Sequence, residues 1–293
     1  MKSGHDIEQI KKLTIIAIAS DDALMERLVL KGGNALDLVH KIGSRASVDL
    51  DYSMEGDFTE DELQSLKGRL EFRLKQAFAQ HGYHIFDLLI EEKPPEVTPD
   101  LQSFWGGYQL EFKLIERSMA EDVGLNLDEM RRRAIPMAPR GRSRIEVDIS
   151  KFECCDGKVA RQIENYTVYV YSAAMIACEK IRAICQQMPE YKRIVKNRPK
   201  VRSRDFLDIY DIATLGAIDF RSDDFLRLLD GMFRAKRVPL ELIQRIRETR
   251  EFHRSDWESV KATVHVDVEL KPFDFYFDYV VDLCDSLQAL RDV

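Results

Sequence analysis

The sequence predicts an α+β protein, with a mixed α/β lobe over residues 1–168 and a helical lobe over residues 169–293. In the first half, apolar and polar residues alternate in several short segments, as in half-buried strands. Glycines separate these segments from stretches with helical spacing. After Tyr171 the apolar residues recur at helical spacing, and only residues 263–268 form a weak strand pattern.

The elements of the first lobe follow from these patterns in chain order. We predict a helix at 7–26, a strand at 28–31 that ends at Gly32 and Gly33, and a helix at 34–41. A second long helix at 60–81 stops at Gly82, a usual signal for a helix C-terminus. Further strands are predicted at 48–52, 83–91, 108–115, 144–152 and 167–171.

The second lobe begins with an apolar stripe at helical spacing, formed by Ala174, Ala177, Cys178, Ile181, Ile184, Cys185 and Met188. We predict four more helices, at 205–215, 222–233, 240–252 and 273–290.

Composition narrows the class of protein. Hydrophobic residues make up 45% and charged residues 32%, and the net charge is −7, so the chain is not basic throughout. No apolar run is long enough to span a bilayer. The five cysteines form no CxxC pair, which favours buried thiols over a zinc site or disulfides. We therefore expect a cytoplasmic protein without a membrane partner.

Two aspartates share one face of a predicted strand. In Ser47–Tyr52, alternation places Val48, Leu50 and Tyr52 on one face and Ser47, Asp49 and Asp51 on the other. Aspartate is a poor strand former, and adjacent like charges need neutralisation, for which Mg²⁺ is suited. The alternative is a solvated edge strand, and the pair alone favours that alternative.

The preceding diglycine gives the aspartates a context. Lys31-Gly32-Gly33-Asn34 joins a predicted strand to a predicted helix, and the two glycines allow close approach of a phosphate to the backbone. By itself this is an ordinary tight turn. Followed by Ser-x-Asp-x-Asp in the next strand, it indicates a phosphate cradle and a metal site, the parts that nucleotidyl transfer requires.

These two motifs carry a family resemblance. Residues 31–36 (KGGNAL) and 45–51 (RASVDLD) resemble the opening motif of AbiEii-type toxins, within the DNA polymerase β-like nucleotidyltransferase superfamily. Members more often have Ser or Thr where this chain has Asn34. The resemblance implies a nucleotidyltransferase-like N-terminal lobe with a mixed, mostly antiparallel sheet. It also implies a helical C-terminal lobe that completes the nucleotide and substrate cleft.

The resemblance implies the remaining site residues. The third metal ligand beside Asp49 and Asp51 would be Asp148, on the alternating strand Arg144–Ser150, with Glu146 as the rival on the same face. Lys180 lies off the apolar stripe and would reach a cleft to neutralise the triphosphate. Gly32, Gly33, Asn34 and Ser47 would contact the nucleotide, and Asp205 or Asp208 would lie near it. An N-terminal acid cluster favourable to the helix dipole explains Asp205 equally well.

Two basic segments flank the expected site in sequence. The first contains Arg131, Arg132, Arg133, Arg140, Arg142 and Arg144, and the second contains Lys192, Arg193, Lys196, Arg198, Lys200, Arg202 and Arg204. Both would attract a polyanion such as tRNA. Solvated loops, or binding of the NTP alone, remain alternatives.

Three functions fit these features. The first, implied by the resemblance, is Mg²⁺-dependent transfer of NMP from an NTP to an RNA acceptor such as tRNA. The chain would then be the toxin of a toxin–antitoxin, phage-defence (abortive infection) system with a cognate antitoxin. The second is a small-molecule nucleotidyltransferase that modifies a cationic drug such as an aminoglycoside, with Asp205, Asp208 and Asp211 as the acidic pocket. The third is a non-catalytic nucleotide-binding module.

Overall fold

The computed structural model describes residues 7–36, 49–137, 143–196, 198–215, 218–264 and 269–291, with side chains to residue 287. The chain forms two compact units. The first contains Met1–Leu30, Val48–Phe152 and Ala160–Val170, and the second contains Lys31–Ser47, Glu153–Val159 and Tyr171–Val293. The roles expected for residues 1–168 and 169–293 stay predictions.

A seven-stranded sheet organises the first unit, in the order β3-β4-β5-β2-β1-β7-β6. The strands are β1 Val29–Lys31, β2 Leu50–Ser53, β3 Tyr83–Glu92, β4 Gly107–Glu116, β5 Arg144–Ser150, β6 Val159–Ile163 and β7 Tyr166–Val170. Parallel pairs join β1 to β7 and β2 to β5, whereas β4 is antiparallel to both β3 and β5. The sheet is therefore mixed, as predicted, although antiparallel pairs do not prevail among these four.

Helices of the first unit are α1 Ile7–Ala19, α2 Asp22–Arg27, α4 Glu60–Ala79, α5 Arg117–Asp122 and α6 Leu127–Arg132. The single helix predicted at 7–26 is wrong, because Asp21 interrupts it. The Asp21 carboxylate accepts a hydrogen bond from the Leu24 N–H at 3.2 Å and so caps a new helix. Arg69 of α4 holds the same carboxylate at 2.8 and 2.9 Å.

Apart from the last residue of β1, Lys31, and the first residue of β6, Val159, the described elements of the second unit are helices. Its elements are α3 Gly32–Asn34, α7 Ala173–Cys185, α8 Pro189–Lys192, α9 Ser203–Leu215, α10 Asp223–Ala235, a 3-10 helix Leu240–Thr249, α11 Arg250–Arg254, α12 Trp257–Lys261 and α13 Phe273–Arg291. Helix α7 packs against α9, α10 and the 3-10 helix. No described helix is both long and apolar enough to cross a membrane.

Several short elements escaped prediction. No residue of strand β6 is buried, so it lacks the alternation that identifies a half-buried strand. Helices α5, α6, α8 and α12 have four to six residues each, too few for a clear helical period. The helix predicted at 240–252 is a 3-10 helix followed by α11. Of the weak strand at 263–268, residues 265–268 lie outside the described residues.

A buried group of charges lies within the second unit. The Glu153 carboxylate, 3% exposed, lies 2.8 Å from Arg182 Nη1, 3.5 Å from Lys236 Nζ and 3.6 Å from Lys31 Nζ. Glu179 lies 3.9 Å from Lys31 and 4.0 Å from Arg182. Burial alone would raise the pKa of Glu153, but the three cations together hold that pKa well below its usual range. Burial lowers the pKa of Lys236 to about 8.

A buried histidine orders the start of α9. The His253 side chain is fully buried, and its Nδ1 accepts a hydrogen bond from the Arg202 N–H at 3.0 Å. The Ser203 hydroxyl donates to the His253 carbonyl oxygen. Burial lowers the pKa of His253 to about 4, although the nearby Asp205 opposes this shift. His253 is therefore neutral at pH 7, which leaves Nδ1 able to accept.

We predict that Glu153→Gln lowers the free energy of unfolding by about 3–5 kcal/mol, because it leaves three buried cations without their shared carboxylate. Adding Lys236→Met to this variant removes one of the cations and recovers part of the loss. Urea unfolding measures both changes. Glu251→Gln, at an ion pair whose carboxylate is 79% exposed, is the matched control and leaves stability unchanged. Equal effects of Glu153→Gln and the control would contradict the prediction.

We predict that His253 makes stability depend on pH between about 6.5 and 4. The unfolded chain takes up a proton on this imidazole in that range while the folded chain does not, so stability falls as the pH falls. The loss is at most about 3 kcal/mol, from a shift of roughly two to three pKa units. Urea unfolding at several pH values measures this loss. In His253→Asn, which keeps an acceptor but does not titrate, the free energy of unfolding depends less on pH over this range. The same slope in both proteins would refute this role.

Candidate active site

The strand register brings two of the predicted carboxylates together. Strands β2 and β5 are parallel, and Asp51 lies directly opposite Asp148. Leu50 and Tyr52 on β2, like Val147 and Ile149 on β5, face the core, so both aspartates lie on the less buried face. Neighbouring strands are about 4.8 Å apart, which makes the two carboxylates direct neighbours.

The register also distinguishes Asp148 from Glu146. Asp148 is the partner of Asp51, whereas the described pairing of Glu146 is with Glu111 on β4. Asp49 comes just before β2 and is exposed. Asp49 and Asp51 both interact with other groups of the protein. The structure thus gathers Asp51 with Asp148 and leaves Asp49 at the start of the same strand.

Two residues that the sequence analysis did not identify bind Asp148. Lys93 Nζ lies 2.9 Å from Asp148 Oδ1, and Gln109 Nε2 donates to the same oxygen at 3.2 Å. Gln109 is the cross-strand partner of Asp148 on β4. The alternation of β4 could have indicated Gln109 as a contact of Asp148 once the pairing of β4 with β5 was known. Lys93 follows β3 in the proline-containing loop, and its local sequence carries no such signal.

The carboxylates of this site determine whether it suits the Mg²⁺ ion that the family resemblance implies. Within the described residues, no group of three or more His, Cys, Asp or Glu side chains is placed to hold a metal ion. Mg²⁺ is usually bound by one or two carboxylates, with water and substrate phosphates as the other ligands. Asp51 and Asp148 supply two hard oxygen donors from neighbouring strands, so this pair fits Mg²⁺ in both donor type and number.

The diglycine forms a sharp turn at the end of β1. Gly32 has a φ of +70°, in the left-handed region that favours glycine. Helix α3 begins here, at Gly32, and not at Asn34 as predicted; its N-cap is Lys31, and no side chain makes the capping hydrogen bond. Asn34 is fully buried. Ser47, expected to contact the nucleotide, lies outside the described residues.

Lys180 differs from the sequence expectation. Off the apolar stripe, it was expected to reach a cleft, yet its side chain is 5% exposed and lies between two carboxylates. Lys180 Nζ is 2.9 Å from Asp205 Oδ1 and 2.6 Å from Asp208 Oδ2. Packing of α7 against α9 buries this face, and a buried ammonium requires such partners. The two predicted aspartates therefore both pair with Lys180, and Arg202 lies 3.8 Å from Asp205.

The described arginines of the first basic segment all lie near carboxylates. Arg131 forms a bidentate pair with Asp87, with both N–O distances at 2.8 Å. In the same segment, Arg132 lies 2.5 Å and Arg133 3.6 Å from the carboxylate of Glu129. Arg144 lies 2.6 Å from the carboxylate of Glu111. Arg140 and Arg142 lie outside the described residues. The expectation of an open basic patch is thus not met by the four described arginines.

Solved structures support the fold. A Helicobacter pylori protein named JHP933 matches over 100% of this chain and 96% of its own, with 13% identity and a TM-score of 0.51. A candidate nucleotidyltransferase from H. pylori matches over 99% and 98%, with 14% identity and a TM-score of 0.51. At these identities the likeness concerns the fold. A search of curated proteins gave no significant match.

The family of this chain is shown by a family model that matches most of its sequence. The model of the family described as "Nucleotidyl transferase AbiEii toxin, Type IV TA system" matches residues 15–279. This range includes the diglycine turn, the Asp51–Asp148 pair and the Lys180 cluster. The chain therefore belongs to the AbiEii nucleotidyltransferase family of type IV toxin–antitoxin toxins.

Proposed function

We propose that this nucleotidyltransferase toxin transfers NMP from an NTP to an RNA acceptor such as tRNA, in the cytoplasm and with Mg²⁺. One observation carries the proposal: Asp51 and Asp148 are direct partners on parallel strands. Family membership supports the NTP as substrate and a cognate antitoxin as partner. Modification of an RNA needed for translation would account for toxicity.

Each residue has a proposed role. Asp51 and Asp148 hold Mg²⁺, and Asp49 contributes a further oxygen ligand from the start of the same strand. When bound, the metal neutralises charge on the transferred phosphoryl group. Asp148 also accepts the proton of the attacking hydroxyl. Lys93, already on Asp148, limits the repulsion between this carboxylate and Asp51.

The second unit is proposed to bind the triphosphate. Gly32 and Gly33 offer backbone N–H groups without side chains in the way, and Asn34 and Ser47 belong to the same motif. Lys180 contributes the positive charge, while Asp205 and Asp208 fix its position by ion pairs of 2.9 and 2.6 Å. A lysine held in this way is already ordered, and it exchanges one of its two ion pairs for the phosphate.

The small-molecule alternative is less well supported. It needs an open acidic pocket for a cationic drug, with Asp205, Asp208 and Asp211 as its wall. All three residues are at most 7% exposed, and two of them bind Lys180. Their charge is directed inward and partly neutralised, so we favour an RNA acceptor.

We predict that Asp51→Asn and Asp148→Asn each reduce NMP transfer by about 100-fold or more, because each removes an anionic metal ligand at nearly constant volume. Each labelled NTP is incubated with total RNA, and the labelled product is quantified on a gel. Glu146→Gln, on the same face of β5, is the matched control and retains transfer. NMP transfer by Asp51→Asn at nearly the wild-type rate would disprove the role of Asp51 as a metal ligand. Loss of NMP transfer in Glu146→Gln but not in Asp148→Asn would show that Glu146 is the third ligand.

We predict that Mg²⁺ raises the melting temperature of the wild-type protein and that chelation abolishes NMP transfer. At about ten times the dissociation constant, binding stabilises the folded chain by roughly 1.4 kcal/mol. Asp51→Asn and Asp148→Asn lose this shift because only one of the paired carboxylates remains. Thermal unfolding with and without Mg²⁺ measures it, and an equal shift in both variants would show that the metal binds elsewhere.

A further inference from the structure

The two basic segments resemble each other in sequence but differ in whether their cations have carboxylate partners. In residues 131–144 every described arginine has a carboxylate within 4.0 Å. In residues 192–204 the reverse holds. Within the part of the chain that the structure describes, six exposed cations have no carboxylate within that distance: Lys192, Arg193, Lys196, Arg198, Lys200 and Arg204. Arg202, 3.8 Å from Asp205, is the exception.

The acid that precedes these cations along the chain is already engaged. Glu190 of α8 lies three residues before Arg193, but its carboxylate binds Arg245 at 2.5 Å. That pairing holds the pKa of Glu190 below its usual range, with a minor contribution from Arg193. The protein as a whole carries a net charge of −7, so this segment is a local reversal of sign. A polyanion would be attracted to this segment.

The segment is also held in place at several points. The Tyr191 side chain is fully buried, and its hydroxyl donates to the Lys236 carbonyl oxygen at 2.8 Å. Val195 is 3% exposed. The Lys200 N–H donates to Gln187 Oε1 at 2.8 Å, and the Arg202 N–H donates to His253. Anchors on the backbone with exposed cations between them form a preorganised surface, on which binding orders little additional chain.

We propose that the exposed cations described in residues 192–196 and 198–204 form the surface that binds the phosphate backbone of the RNA acceptor, and that Arg131, Arg132, Arg133 and Arg144 do not. The inference rests on the proposed function and assigns its RNA to one of two candidate surfaces. Binding to phosphates gains free energy by releasing counterions, and unpaired cations deliver that gain fully. An arginine already paired with a carboxylate must first give up that pair.

The position of the segment fits this role. Its last residues lead directly into α9, whose first turn carries Asp205. Asp205 and Asp208 bind Lys180, the proposed triphosphate-binding lysine. RNA held on residues 192–204 would therefore lie next to this cluster of the same unit. The segment has no aromatic side chain on which bases could stack, so it contacts phosphates and carries little sequence preference.

The test compares two variants that lose three positive charges each. The first is Lys192→Gln/Lys196→Gln/Lys200→Gln in the unpaired segment. The control is Arg132→Gln/Arg133→Gln/Arg144→Gln in the paired segment, where the three side chains are 48–72% exposed. All six positions are exposed, so both proteins are expected to fold, and circular dichroism verifies this.

We predict that the lysine variant binds labelled tRNA at least tenfold more weakly. The slope of log K against log salt concentration falls by roughly 2–3, at about 0.7–0.9 per lost phosphate contact. In transfer assays its KM for RNA rises at least tenfold, while the KM for NTP and kcat at saturating RNA stay within twofold. The control stays within twofold of wild type in every measurement.

Contrary outcomes are distinct. Equal RNA affinity in the lysine variant and wild type overturns the inference, as does an equal loss in the control. A rise confined to the KM for NTP overturns it in favour of triphosphate binding. Wild-type binding to anionic lipid vesicles but not to tRNA overturns it in favour of a membrane surface. Failure of the wild type to label any RNA refutes the proposed function, whereas the binding and salt measurements still decide which segment contacts RNA.

Discussion

The parallel pairing of β2 with β5 is the constraint on which the proposed chemistry depends. A shift of one residue would place Asp51 opposite an apolar residue of β5 and would turn the aspartates toward different faces. The buried residues Leu50, Val147 and Ile149 prevent such a shift, because each would lose its place in the core. The hydrophobic face of the sheet thus fixes the distance between two like charges that it does not contact.

The second unit buries ammonium and guanidinium groups, which need carboxylate partners. Glu153 is shared by Arg182, Lys236 and Lys31, and two aspartates share Lys180. Glu179 also lies 3.9 Å from Lys31, and Arg202 lies 3.8 Å from Asp205. Buried charges are tolerated only with such partners, so these clusters fix how α7, α9 and the chain around Lys31 pack.

Much of the architecture was predictable because it depends on local patterns. The strands at 83–91 and 108–115, for example, are within one residue of β3 and β4. The errors have local physical causes as well. Asp21 caps a helix inside a pattern that reads as continuous, and β6 is too exposed to alternate. For the site, the diglycine motif and the paired aspartates were recognisable, whereas Lys93 and Gln109 were not, because their contact with Asp148 spans 55 and 39 residues.

The sequence alone determined the mixed α and β composition, the faces of the strands and the family motifs, since periodicity and turn chemistry act over a few residues. Tertiary structure decided that Asp148 and not Glu146 lies opposite Asp51, and that Lys180 is buried between two carboxylates. It also decided which basic segment stays unpaired. The acids that neutralise Arg131 and Arg144 lie 44 and 33 residues away, and only the folded sheet brings them within reach of these arginines.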